Sequence, residues 1–501
     1  MDGAVEVRVG QGLVRGRQEH GVAVFRGIPY ARPPFGRLRF AAPEPAEPWE
    51  GVRPALSYGP PPPQYDRMSP PPAGARDEAE PDCLTLNVWS PDVAAGGLPV
   101  MVWFHGGAYV FGQAGDPVYE GAAPARAGVV VVTFNYRVGV EGFAQLAGAP
   151  ANRGLLDQVA ALQWVRRNAA AFGGDPDRVT VFGESAGAGS IAALLAVPAA
   201  AGLLRRVVAQ SVPGSYFTPE LAGDVARAIG ARLGSGASAA QLRRVDPRVL
   251  VRAADEVFDR RAARARWGVV GAAETVFSPV VDGEVMTCTP WEAVAAGRAR
   301  ELDLLLGHNR DEYRLFMAKR GEFGTVDQER AAWALEAFGP GGARGARAYR
   351  EAHPGAGAEE VYEQVMSDWL CRVPTVQLLE AQCAAGGAAY AYELRWPAPV
   401  FGGRLGACHG LDVPLVFGTL GAPLARAMLG ERPPPEAVAL SARMRAAWVG
   451  FAASGRPGWA QYRVPGRSTK VFDAVDSVAA DPLGASRRVW EGWPFGVLDL
   501  L

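Results

Sequence analysis

The sequence predicts an α/β protein in which a mostly parallel sheet is flanked by helices. Three nearly uninterrupted apolar runs, 100–104, 129–134 and 179–182, have the composition of strands that are buried on both faces. Between the second and third runs, apolar residues recur every three or four positions from Leu155 to Ala169, which predicts a crossover helix. Because parallel strands end at one edge of a sheet, we expect the segments that follow these runs to lie together.

Composition excludes several classes of protein. The 501 residues are 49% hydrophobic and 21% charged, which is enough apolar material for a large core. The formal net charge is −1, so no overall field attracts nucleic acid or anionic lipid, and we expect neither as a partner. No compositional break separates two halves. We therefore expect a single domain over residues 1–501.

The cellular compartment is predicted from the cysteines and the N-terminus. Five cysteines are scattered without metal-ligand spacing, and an odd number cannot all pair within one chain, so we expect free thiols and no zinc. The first residues lack a basic segment followed by an apolar one, which predicts a cytoplasmic protein. The uncharged stretch 186–204 approaches the length of a membrane span, but Pro198 and Gly202 interrupt it and favour a buried helix.

A nucleophile motif follows the third apolar run. Residues 183–187 read Gly-Glu-Ser-Ala-Gly, between a β-branched run and an Ala/Leu-rich segment. This is the context of a strained strand-turn-helix that presents a serine, and glycines let such a turn tighten. The sequence therefore predicts Ser185 as a nucleophile.

A serine hydroxyl needs a general base, and the chain offers five histidines. His409 comes last, in a loop of small residues, and it suits the chain order serine, acid, histidine that accompanies this motif. The other four are His20, His105, His308 and His353.

The acid of the site should lie between Ser185 and His409. The segment 307–312 follows the apolar run 302–306, which indicates another strand end, and it contains two carboxylates. Spacing alone does not decide whether Asp311 or Glu312 is the acid of the site.

Acyl transfer also requires donors for an oxyanion. The loop that starts at His105 is rich in glycine and follows the first apolar run, so its backbone N–H groups can approach a substrate closely. We expect an oxyanion hole formed by Gly107, Ala108 and Ala186.

These segments together resemble the type B carboxylesterases, a family that includes cholinesterases and bacterial para-nitrobenzyl esterases. The resemblance spans most of the chain and rests on ordered motifs at residues 25–31, 36–40, 82–88, 105–108, 135–137, 154–158, 172–176 and 182–187. It implies the α/β-hydrolase fold, with long insertions forming a cap around an active-site gorge, and a serine carboxylesterase that uses no metal or cofactor.

The resemblance also implies roles for particular residues. The acid of the family matches Glu312 rather than Asp311, and its histidine matches His409. Glu184 matches a glutamate beside the nucleophile, whose charge is expected to help settle water or the imidazolium, and we expect Glu184 to contribute to substrate binding. Arg137 with Asp157 matches a structural ion pair.

The sequence departs from the family pattern at three points. Ala108 stands where many members have a third glycine, and Tyr313 replaces the usual glycine after the acid, which puts the local loop geometry in question. Cys83 matches a cysteine that pairs in secreted animal members, yet no cysteine precedes it here. We therefore expect the proline-rich loop 59–81 to be an unstapled, mobile rim over the entrance to the site.

Two alternatives to an esterase stay open from the sequence. The same fold serves as a non-catalytic binding module in some proteins, although those typically lack the serine. An acyltransferase or an amidase could use the same triad. The partner expected in each enzymatic case is a small-molecule substrate, and the sequence does not choose between a monomer and a homodimer.

Overall fold

The fold is built on one large sheet. The computed structural model describes residues 3–64, 81–258, 260–273 and 275–500. Thirteen strands of these residues join in a single sheet. They are β1 (Ala4–Val9), β2 (Gly12–Glu19), β3 (Val22–Pro29), β4 (Val52–Pro54), β5 (Thr85–Ser90), β6 (Leu98–Phe104), β7 (Val130–Phe134), β8 (Gly174–Glu184), β9 (Arg206–Gln210), β10 (Asp303–Asn309), β11 (Ala388–Leu394), β12 (Ser468–Phe472) and β13 (Ser477–Ala480).

The centre of the sheet is parallel and its two margins are antiparallel. The spatial order is β1-β2-β3-β5-β7-β6-β8-β9-β10-β11-β12-β13, with β4 beside β2. Neighbours from β7 to β12 pair in parallel, whereas β1, β2, β3, β5 and β13 make antiparallel pairs. The predicted mostly parallel sheet is confirmed. One continuous sheet supports the expected single domain over residues 1–501, which stays a prediction.

The predicted apolar runs became strands because both of their faces are covered. Along β6, Val100, Val102 and Phe104 pack into one core, and the alternate residues Met101 and Trp103 pack into a second core on the other side. Every residue of β7 is buried as well. Uninterrupted apolar composition is thus what a central strand between two helical layers requires.

Helices cover both faces of the sheet and fill the long connections. They are α1 (Ala122–Arg126), α2 (Gly139–Phe143), α3 (Arg153–Asn168), α4 (Ala186–Leu194), α5 (Pro219–Arg232), α6 (Ala239–Leu242), α7 (Pro247–Val257), α8 (Arg260–Trp267), α9 (Val269–Ala272), α10 (Pro290–Ala295), α11 (Arg314–Lys319), α12 (Gln328–Phe338), α13 (Ala343–Ala352), α14 (Ala358–Ser367), α15 (Val373–Ala384), α16 (Asp412–Phe417), α17 (Pro423–Leu429), α18 (Pro435–Ser454) and α19 (Gly484–Val489). The helices α5 to α9 lie between β9 and β10, and α11 to α15 lie between β10 and β11. These two insertions supply residues to the cavity above the sheet.

The crossover helix predicted between the second and third runs is α3. Its apolar residues face the core, and the chain leaves it through Gly173, which has a φ of 83° that favours glycine. The expected ion pair is present, since Arg137 Nη2 lies 2.7 Å from Asp157 Oδ1 and both side chains are fully buried. Asp157 Oδ2 also accepts from the backbone N–H of Arg137, so the pair fastens α3 to the chain after β7.

Two further expectations concern the loop and the apolar stretch. Residues 65–80, which make up most of the predicted loop 59–81, lie outside the described residues. The stretch 186–204 begins with the nine-residue helix α4, which is buried throughout. Among the residues that the structure describes, no helix is long and apolar enough to cross a membrane.

Candidate active site

Ser185 occupies a strained turn between β8 and α4. Its φ and ψ are 55° and −125°, which non-glycine residues rarely adopt. The backbone packs closely here, because a Cβ built on Gly187 would lie 2.0 Å from the carbonyl oxygen of Phe104. A backbone hydrogen bond to the end of β9 also fixes the turn, since Ser185 N donates to the carbonyl oxygen of Gln210 at 3.0 Å. The serine is half-buried and lines the cavity, as the nucleophile motif predicts.

His409 and Glu312 form a buried pair on the same side of the sheet. Glu312 follows β10, His409 lies in the loop between β11 and α16, and His409 Nδ1 is 2.6 Å from Glu312 Oε2. The second carboxylate oxygen, Oε1, accepts from Ser211 Oγ at 2.6 Å and from Asn309 N at 2.8 Å. Glu312 is therefore fixed on both oxygens, which orients the imidazole.

The two carboxylates that spacing could not separate have different partners. Asp311 Oδ2 accepts from the backbone N–H of Ala407 at 2.8 Å and is paired with Arg310. Its carboxylate thus secures the loop that carries His409, while Glu312 contacts the ring itself. Tyr313, the departure that follows the acid, has an ordinary φ of −79°, so the loop needs no glycine there.

The other ring nitrogen of His409 faces Glu184. His409 Nε2 lies 3.1 Å from Glu184 Oε1, within ion-pair distance, although the angles do not meet those of a hydrogen bond. Among the described residues, Ser185 Oγ makes no hydrogen bond to the imidazole. Such bonds are often long or misaligned before substrate binds and tighten in the complex. A hydrogen bond between Ser185 Oγ and the imidazole therefore has to form on substrate binding if His409 is to act on the serine.

Burial and two carboxylates set the ionisation of this cluster. Burial raises the pKa of Glu184 to about 8, against the opposing effect of His409. Burial also opposes ionisation of Glu312, but His409, Ser211 and Asn309 outweigh it and hold its pKa below the ordinary value. Burial opposes the charge on His409 too, yet Glu184 and Glu312 raise the pKa of the ring well above the ordinary value. The site therefore stabilises an imidazolium.

The glycine-rich loop after β6 presents free backbone donors to the cavity. Gly107 and Ala108 have φ values of 116° and 52°, and both line the cavity beside Ala186. Within the described part of the chain, the N–H groups of these three residues have no acceptor. Ala108 thus adopts the left-handed conformation that a glycine would adopt more easily.

His105 supports this loop rather than taking part in proton transfer. Its ring stacks on Tyr136 with centroids 4.2 Å apart, and Tyr136 OH donates to the carbonyl oxygen of His105 at 2.7 Å. The ring Nδ1 lies 2.9 Å from the carbonyl oxygen of Gly106. Complete burial lowers the pKa of His105 to about 4, so the ring is neutral and packs as a structural group.

A single cavity joins these groups. It has a volume of about 880 Å³ and is lined by Ser185, His409, Glu184 and the glycine-rich loop. Apolar side chains from the insertions complete the wall, among them Val251, Phe258, Phe277, Phe316, Trp369 and Leu370. The half-buried serine, the imidazole of His409 and the carboxylate of Glu184 thus open on a largely apolar chamber.

Three contributors to the site carry no sequence signal that would have identified them. Ser211 binds Glu312 from the end of β9, and its residue type is common in loops. Asn309 contributes a backbone N–H, which every residue but proline has. Cys371 enters the cavity from a π-helical turn, Asp368–Arg372, whose position the sequence did not reveal.

A serine on a strand-to-helix turn, above a mostly parallel sheet and beside a histidine–carboxylate pair, defines an α/β-hydrolase. A model of the carboxylesterase family matches residues 3–472. The chain is 37% identical over 493 residues to the para-nitrobenzyl esterase of Bacillus subtilis (strain 168), covering 95% of this chain and 96% of that protein. It is 36% identical over 454 residues to the fumonisin B1 esterase of Sphingopyxis macrogoltabida, covering 88% and 80%.

Solved structures agree with the sequence relatives. A carboxylesterase of Geobacillus stearothermophilus superposes with a TM-score of 0.84 at 36% identity, covering 97% of this chain and 99% of that one. The chain therefore belongs to the carboxylesterase family. It is a carboxylic ester hydrolase, as the resemblance in the sequence implied.

Proposed function

We propose that the chain hydrolyses carboxylic esters through a covalent acyl-enzyme on Ser185, with His409 as general base and Glu312 as the group that orients it. The observation that carries this proposal is the 2.6 Å contact between His409 Nδ1 and Glu312 Oε2, on the cavity where strained Ser185 is accessible. A serine, a base and an orienting acid are the parts that nucleophilic acyl transfer needs.

In the acylation step, Ser185 Oγ attacks the ester carbonyl carbon and its proton passes to His409 Nε2. The carbonyl oxygen becomes an oxyanion, which the N–H groups of Gly107, Ala108 and Ala186 are placed to receive. When the tetrahedral intermediate collapses, the bond to the alcohol oxygen breaks and His409 returns the proton to that oxygen. The acyl group stays on Ser185.

In the deacylation step, water replaces the alcohol. His409 Nε2 takes a proton from the water as it attacks the acyl carbon, and the proton then returns to Ser185 Oγ as the acid leaves. Glu312 stays ionised throughout, which its lowered pKa supports. Glu184 faces the same ring nitrogen, and we propose that its charge stabilises the imidazolium and contributes to the substrate-binding surface.

The cavity favours a small or medium ester with apolar groups. Its lining is mainly apolar and encloses about 880 Å³, within the range of small-molecule sites. The relatives are named a para-nitrobenzyl esterase and a fumonisin B1 esterase, so different esters are named for proteins similar to this chain. We propose cytoplasmic residence as well, because the five cysteines all carry free thiols, which suits a reducing compartment.

The test is hydrolysis of p-nitrophenyl esters from acetate to decanoate by the wild type, Ser185→Ala and Ser215→Ala. Ser215 is a matched control because it is a serine that lines the same cavity. We expect Ser185→Ala to lower kcat by roughly 10⁴–10⁶-fold, with Ser215→Ala within about tenfold of the wild type. Equal turnover by the wild type and Ser185→Ala would contradict the proposal.

The same assay distinguishes an acyltransferase or amidase. Added methanol should divert only part of the acyl group to methyl ester, and p-nitroanilides should react far more slowly than p-nitrophenyl esters. Transfer to alcohol that dominates over hydrolysis, or preferred cleavage of anilides, would assign the triad to those reactions instead.

A further inference from the structure

A cysteine thiol lies beside the histidine–carboxylate pair and has no part in the proposed hydrolysis. Cys371 is 1% exposed as a residue and lines the cavity from the π-helical turn Asp368–Arg372. Its Sγ, a ring nitrogen of His409 and a carboxylate oxygen of Glu312 all lie within 4.8 Å of one another. Of the described residues, these three form the one such cluster of buried sulfur, nitrogen and oxygen ligands.

The ligand types in this cluster suit a soft or borderline divalent cation. Thiolate, imidazole and carboxylate together are ligands typical of Zn²⁺, and the sulfur adds affinity for softer ions such as Cd²⁺. Metal–ligand distances of about 2.0–2.3 Å place tetrahedral ligands roughly 3.3–3.8 Å apart. The 2.6 Å contact of His409 Nδ1 with Glu312 Oε2 therefore has to open by roughly 1 Å, and Cys371 Sγ, which lies within 4.8 Å of the other two ligand atoms, has to approach them.

A second carboxylate adds to the attraction for a cation. Glu184 Oε1 is buried, has no hydrogen-bond partner and lies 3.1 Å from His409 Nε2. Two carboxylates therefore flank one imidazole in a place shielded from solvent, where opposite charges interact more strongly than in water. An unpartnered buried carboxylate oxygen of this kind is a group that a bound cation would stabilise.

We propose that Cys371, His409 and Glu312 form an inhibitory binding site for a soft or borderline divalent cation, with Glu184 as an additional negative charge. Binding converts the Cys371 thiol to a thiolate and the imidazolium of His409 to a neutral ligand, and both protons are released to solvent. The cation occupies a lone pair of His409 and takes Glu312 as a ligand, so Ser185 loses its general base. The loss of activity rests on the proposed function, whereas the binding itself does not.

The test is a titration of the full chain with Cd²⁺, followed by the ultraviolet charge-transfer band of a cadmium thiolate and by p-nitrophenyl acetate hydrolysis. The variants are Cys371→Ser and Cys371→Val, which keep or remove polarity at the same position. Cys288→Ser is the control, because Cys288 is half-buried and does not line the cavity. Residual activity is expressed relative to each variant without cadmium.

We expect the wild type and Cys288→Ser to develop the band and lose activity together, with both changes reversed by a chelator. Both Cys371 variants should bind at least about tenfold more weakly. A band of unchanged affinity in the Cys371 variants, or a wild type without any band, would overturn the proposal. Because the band does not depend on turnover, an error in the proposed catalytic roles would leave it in place and affect only the activity measurement.

Discussion

The charge of Glu184 offers a direct test of the electrostatics of the site. Burial alone would lower the pKa of His409, but Glu184 and Glu312 outweigh it and raise that pKa well above the ordinary value. A protonated imidazole cannot accept the serine proton, so kcat/KM should fall as the pH drops through the pKa of His409. Glu184→Gln keeps the shape of the side chain and removes its charge. The acidic limb of the pH profile of kcat/KM should therefore lie at lower pH in this variant than in the wild type.

The size of the shift follows from the 3.1 Å contact between His409 Nε2 and Glu184 Oε1. Unit charges about 4 Å apart interact by about 4 kcal/mol at an effective dielectric constant of about 20. That energy corresponds to about three pH units. Burial raises the pKa of Glu184 itself to about 8, so part of its population is neutral in the same range and contributes no charge. We expect the limb to move by about one to two pH units.

The assay is kcat/KM for p-nitrophenyl acetate across pH, read at the wavelength where p-nitrophenol and its anion absorb equally. Glu322→Gln is the control, because Glu322 lines the same cavity but is paired with Arg330. Its acidic limb should coincide with that of the wild type. A Glu184→Gln limb that stays in place or moves to higher pH would refute the reasoning, since the charge would then not act on His409.

Two further predictions concern packing and the orientation of the acid. Gly187→Ala should lower the free energy of unfolding by about 1–3 kcal/mol, because its Cβ would lie 2.0 Å from Phe104 O. The control is Gly421→Ala, where a Cβ would meet open space, and its thermal unfolding should match that of the wild type. Equal stability of the two variants would contradict the packing argument. Ser211→Ala removes a 2.6 Å hydrogen bond to buried Glu312 and should lower kcat by about 10–100-fold in stopped assays with saturating ester. An unchanged kcat would show that Asn309 holds the acid alone.

Much of the fold could be predicted because the central strands have a composition that few other structures produce. Runs such as 100–104 are apolar on both faces, and the structure places β6 between two cores. The antiparallel strands β1 and β2 were not predicted individually, because charged residues alternate along them at the margin of the sheet. The spatial order β5-β7-β6-β8 depends on crossover connections, which local patterns do not encode.

The site was predictable where chemistry demands a particular residue in a particular setting. Ser185 needed a tight turn with glycines, and His409 was one of few histidines. Spacing left Asp311 and Glu312 equivalent, and only the resemblance favoured Glu312. In the structure, the Asp311 carboxylate accepts from the Ala407 N–H and the Glu312 carboxylate contacts the imidazole. The contact of His409 Nε2 with Glu184 was not predicted, because it depends on side-chain packing across distant segments.

Covalent labelling of the nucleophile tests most directly whether Ser185 carries the acyl group. A fluorophosphonate that mimics the acyl transfer would be added to the wild type and to Ser185→Ala, and intact mass and peptide mapping would follow. We expect a single phosphonyl adduct on Ser185 in the wild type, with loss of esterase activity in proportion to labelling, and no adduct in the variant. Labelling of another residue, or full ester hydrolysis by enzyme whose Ser185 is labelled, would contradict this assignment.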